Sequence, residues 1–140
     1  MKTIFKEITA QLDTVPGLNW IDEDKGQMNF ERPPVLFPCA LVSLSLPQTQ
    51  NYNQDNQQCD LQVSVTLAFD FSGNTNNLTP EADRERSLAY YDMVDLVYKS
   101  LQGFSSVNFN KLERRNFRPI PRPDQYKTVN MTFTSEFIED

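Results

Sequence analysis

Between Asp60 and Phe71 the chain reads DLQVSVTLAFDF. Leu61, Val63, Val65, Leu67, Phe69 and Phe71 fall on one side of a two-residue period. Gln62, Ser64, Thr66, Ala68 and Asp70 fall on the other. Successive side chains of a strand point to opposite faces, so this pattern is a strand with one dry face and one wet face. Such a strand needs neighbours with the same alternation and a layer over its apolar side. The sequence offers both. In YKTVNMTFTSEFIE, Val129, Met131, Phe133 and Phe137 share a face, opposite Thr128, Asn130, Thr132, Thr134 and Glu136. In CALVSLSL, Val42, Leu44 and Leu46 alternate with Ser43 and Ser45, and Pro47 is expected to stop that strand. NKLERRNFRPI is a weaker, basic strand candidate, followed by a connector in which Pro119, Pro121 and Pro123 oppose a regular ladder.

Two segments carry helical spacing instead. Ile4, Phe5, Ile8 and Leu12 predict an amphipathic helix over about residues 2–13, ended by Pro16 and Gly17. A second, longer helix is expected from Thr79 as its cap, with Pro80 at its first position and Glu81 and Asp83 in its first turn. Its apolar stripe is Leu88, Tyr91, Val94, Tyr98 and Leu101, and Gly103 ends it. Two short strands, Leu18–Ile21 and Gln27–Phe30, are expected to form a hairpin whose turn is Asp22 to Gly26. The reading is one α+β domain over residues 1–140. It has a mostly antiparallel sheet, an N-terminal helix and one long helix packed on the sheet. A flexible polar loop is expected at about 48–58 and a proline-rich arm at about 118–125.

At 140 residues the chain has room for one core. Its net charge is −6, which disfavours tight sequence-independent binding to DNA phosphate. Charge is segregated, however. Lys111, Arg114, Arg115, Arg118, Arg122 and Lys127 stand against Glu113 and Asp124, a net +4 that leaves −10 for the remainder. Such a patch reads in three ways: an ion-pair surface toward a neighbouring subunit, a solvated edge strand guarded by charge, or, more weakly, a DNA contact. Adjacent Tyr90 and Tyr91 cannot both face one core, so one of them, together with Tyr98 or Phe104, is a candidate for a contact surface. The candidate subunit interface is therefore Arg114, Arg115, Arg118, Arg122, Tyr90 and Tyr98.

The opening of IDEDKGQ resembles a calcium loop, with Asp22, Asp24 and Gly26. That loop needs glycine at its sixth position and a bidentate glutamate at its twelfth, and here those positions hold Gln27 and Pro33. The stretch reads as a turn, with no metal and no phosphate cradle. The chain contains no histidine, so Ser–His and Cys–His nucleophiles are impossible. Asp92 and Asp95 read as solvated acids, and no catalytic residue and no cofactor is expected. Cys39 and Cys59 match no metal spacing and read as reduced thiols, with a disulfide between them left open. No apolar run reaches the length of a membrane span, and the N-terminus is not a signal peptide, so no membrane association is expected.

The order helix, hairpin, strand, strand, helix, strand, strand has a resemblance. It is carried by WIDEDKGQMNFERPPVLFPCALVSLSL, DLQVSVTLAFDF, LAYYDMVDLVYKSLQGF and TVNMTFTSEFIE, and by Trp20, Asp22, Gly26, Gln27, Pro33, Pro34, Phe37 and Pro38 in particular. Together these resemble the tail terminator (tail completion) family of long-tailed bacteriophages and prophages, and more loosely other neck and tail ring proteins. The resemblance implies a virion protein made in the host bacterial cytoplasm and placed at the tail end or neck. It implies a ring, usually of six subunits, between the tail tube protein and the head-completion or connector protein, through which DNA passes without being gripped. A different class is a small non-catalytic adaptor or binding module that acts as a dimer. An enzyme is a third class, disfavoured by the missing histidine and the missing metal and phosphate motifs.

Overall fold

The computed structural model describes residues 1–139. Its elements are α1 (Lys2–Leu12), β1 (Trp20–Glu23), a short 3₁₀ turn (Gln27–Asn29), β2 (Cys39–Asn51), β3 (Gln57–Phe69), α2 (Glu81–Leu88), α3 (Tyr90–Leu101), β4 (Glu113–Ile120) and β5 (Lys127–Glu139). The five strands form one sheet in the order β1-β2-β3-β5-β4. β1 runs parallel to β2, and every other pair is antiparallel. The expected α+β domain, with helices over a mostly antiparallel sheet, is the observed one.

The alternation in β3 does what it predicts. Leu61, Val63, Val65 and Leu67 are fully buried, and Phe69 nearly so. Val129, Met131, Phe133 and Phe137 of β5 and Ala40 and Val42 of β2 join them on the same face. α1 covers this face with Ile4, Ile8 and Leu12, one turn apart. α3 covers it with Val94, Val97 and Leu101. The Gln11 amide donates to the Ser100 carbonyl at 2.7 Å and locks the two helices together.

Five local expectations are corrected. The Leu18–Phe30 hairpin does not form: Gln27–Asn29 is a 3₁₀ turn, and β1 pairs with β2 instead. The reason is Gln27, which is buried and hydrogen-bonded within the turn, so it cannot serve as an outward strand residue. The expected long helix is present and bent, divided at Ala89 into α2 and α3. There the bonds from Ala89 to Arg86 and from Asp92 to Ala89 span three residues instead of four. The cap of α2 is Pro80 and not Thr79, and Phe71 lies beyond the end of β3, about half exposed. Finally, the polar stretch 48–58 is largely ladder. Gln48–Asn51 pairs with Gln57–Asp60, and only residues 52–56 form the connection. Pro47 lies inside β2, where the register shifts between Ser45 and Gln48, so the proline is absorbed by an irregularity rather than ending the strand.

A second, smaller core lies on the opposite face of the sheet. Met28, Cys39, Leu41 and Ala68 are buried there, flanked by Trp20, Val35, Phe37 and Tyr126. The 24–38 segment and the connector before β5 fold over one end of this face. The rest of it carries Ser43, Ser45, Gln62, Ser64, Asn130, Thr132 and Thr134, which remain polar and at least partly in contact with solvent apart from Asn130. Asn130 is satisfied by the Ser64 and Thr66 hydroxyls, to which its amide donates at 2.9 and 3.0 Å.

Candidate subunit interface

The acidic turn is closed by its own groups. The Gly26 N–H donates to Asp24 Oδ1 at 3.0 Å, and Gly26 holds φ +80°, a conformation that only glycine adopts without strain. The buried Gln27 side chain donates to Asp22 Oδ2 and to the Glu23 carbonyl, and accepts from the Lys25 N–H. Asp22 thus sits at the end of β1 and Asp24 and Gly26 in the turn proper. Among the described residues no group of three metal-ligating side chains is assembled, here or elsewhere. The carboxylates of this turn serve backbone and amide donors and, at Asp22, the Lys25 ammonium at 3.5 Å.

β4 is the other outer strand of the sheet. It follows a tight loop in which the Leu112 N–H donates to the Phe104 carbonyl and Gly103 (φ +79°) donates to Leu112. That loop is tied to α1 by Glu7, which accepts from Ser106 Oγ at 2.7 Å and Asn108 Nδ2 at 2.6 Å. The register of β4 on β5 shifts between Arg114 and Asn116, so Arg115 occupies a bulge. Bulges, proline and charge are the devices that keep an edge strand from pairing at random, and β4 has all three.

The basic residues divide by what they touch. Arg114 lies over the Tyr98 ring at 4.0 Å and Lys127 over the Tyr90 ring at 4.8 Å, both cation–π contacts within the chain. Arg115 pairs with Glu113 at 3.1 Å and donates to Thr134 at 2.9 Å. Arg122 forms a two-pronged pair with Asp124 at 2.6 and 3.0 Å and donates to the Met28 carbonyl at 2.7 Å. The Arg122 side chain is only 18% exposed, and it pins the connector to the segment over the second core. This pairing raises the Arg122 guanidinium and holds the Asp124 carboxyl below its ordinary value. Arg118 is exposed and, among the described residues, has neither an ion pair nor a hydrogen bond through its side chain.

Of the tyrosines, Tyr90 turns inward between Phe69 and Tyr91, with ring centroids at 5.8 and 4.3 Å. Burial, followed by its contact with Tyr91, pushes its phenol pKa upward. Tyr91 is the outward ring of the adjacent pair. The six residues expected at an interface therefore do not form one free surface. Arg122 is structural, Tyr90, Tyr98 and Arg114 are engaged in ring contacts, Arg115 is paired with Glu113, and Arg118 is exposed with no side-chain ion pair among the described residues. Gln27 and the Arg122–Met28 link went unrecognised in the sequence, because both are contacts between a side chain and distant or irregular backbone, with no periodic signal.

Both cysteines are free and fully buried, Cys39 in the second core and Cys59 in the first. Burial pushes the Cys39 thiol up to about 12. The concavities are open clefts. One of about 740 Å³ is lined by Pro47, Asp60, Lys111, Glu113, Arg115 and Glu136 among others, with acids and cations mixed along it. No helix is long and apolar enough to cross a membrane among the described residues.

No protein-family model matches the chain, and no curated protein sequence matches it. Among solved structures, it aligns with a chain of the virion of a native gene transfer agent (GTA) particle, at 12% identity and a TM-score of 0.46. The alignment covers 94% of this chain and 84% of that one. This likeness is too slight to argue from.

Proposed function

We propose that the chain is a non-catalytic structural protein of a bacteriophage or prophage virion. In this reading it is a tail terminator or head–tail neck component that assembles as a ring, six-membered by the resemblance above, and joins the tail tube to the head connector. The observation that supports assembly most directly is the β2–β3 arm. Residues 47–55 at the tip of this hairpin are all exposed, while β3 from Gln57 on is flanked by β5. β1 pairs with β2 only from Cys39 to Val42, and among the described residues no other strand pairs with the outer side of β2 beyond that point. Ordering such an arm costs conformational entropy and returns little burial within the monomer. It gains its return when another surface lies against it.

The remaining support is chemical. A chain without histidine, with Cys39 held protonated by burial, has few routes to nucleophilic catalysis. A net charge of −6 suits a ring through which DNA slides without adhering. The test is the solution mass by light scattering, with negative-stain images, of the protein alone and mixed with tail-tube protein. Closed rings, alone or on the tube end, are expected. A stable two-fold dimer indifferent to the tube would refute the ring and favour the adaptor reading.

A further inference from the structure

We draw no further inference here: the strongest candidate, the outer edge of β2 from Ser43 to Asn51, belongs to the hairpin surface already described, is interrupted by Pro47 at its register shift, and nothing in the structure shows what covers it.

Discussion

Arg118 and Arg122 lie four residues apart in one basic stretch, yet the structure gives them different tasks, and their substitution separates those tasks. Arg122 donates to the Met28 carbonyl at 2.7 Å from a side chain that is 18% exposed. A hydrogen bond from a charged donor contributes about 1.5–3 kcal/mol. The ion pair with Asp124 adds little to that, because Asp124 is in solvent and screened. Arg122→Met keeps most of the packing against Tyr126 and removes the bond. The expected loss is therefore about 2 kcal/mol, a fall in Tm of roughly 5–10 °C for a domain of this size. Arg118→Met removes no contact and is expected to stay within about 0.5 kcal/mol. Urea denaturation followed by tryptophan fluorescence is the assay, since Trp20 borders the core that Arg122 pins. The same comparison carries a pH signature. Asp124 has a lowered folded-state value, so its contribution is complete above the ordinary carboxylate range and is lost as pH falls through the folded value. Arg122→Met should flatten that acid-side loss and Arg118→Met should not. Equal destabilisation by the two substitutions, or none by Arg122→Met, would refute the division of labour.

Three further outcomes are expected. Leu41→Ala, in the second core at 1% exposure, should cost about 2–5 kcal/mol in urea denaturation, while Ser43→Ala, two residues along the same face, should cost almost nothing. Gly26→Ala should cost about 1 kcal/mol by the same assay, chiefly because alanine is strained at φ +80°, with a Cβ also 3.1 Å from the Asn29 amide. Cys39, buried and held as thiol up to about pH 12, should resist a thiol reagent at pH 8 in the native protein and react at an ordinary rate once urea unfolds it; native-state labelling would show that the second core is open.

The legible parts of this fold are those written in a repeating pattern. The period of two in β3 and β5 and the four-residue spacing of Ile4, Ile8 and Leu12 each carry many residues toward one conclusion, and the structure follows them. The illegible parts hang on single side chains. Gln27 converts an expected hairpin into a 3₁₀ turn, and no periodicity announces a buried amide. The second core was hidden for the same reason. Leu41 falls on the serine face of β2 and becomes interior only because the non-periodic 24–38 segment folds over it. The polar stretch 48–58 read as loop because it buries almost nothing, although its backbone is paired. The basic cluster was visible as composition, but composition does not distinguish an arginine spent on a tyrosine ring from one left free.

That distinction bears on how charge selects an assembly. If all six cations of residues 111–127 were solvated, the patch would attract any acidic surface, and the partner would be undetermined. The structure instead places Arg114 and Lys127 on aromatic rings, ties Arg122 to Asp124 and Met28, and partly neutralises Arg115 with Glu113. Arg118 remains as the least encumbered charge of β4, and it lies level with Asp22 across five strands. A single charge pair exposed at a rim contributes little affinity, but opposed to its like in a two-fold pairing it imposes a penalty. The same residues can therefore leave a monomer soluble and weigh against a symmetric pairing of β4 edges. On this argument the edge charges exclude unsuitable neighbours and contribute little to the stability of any contact that forms.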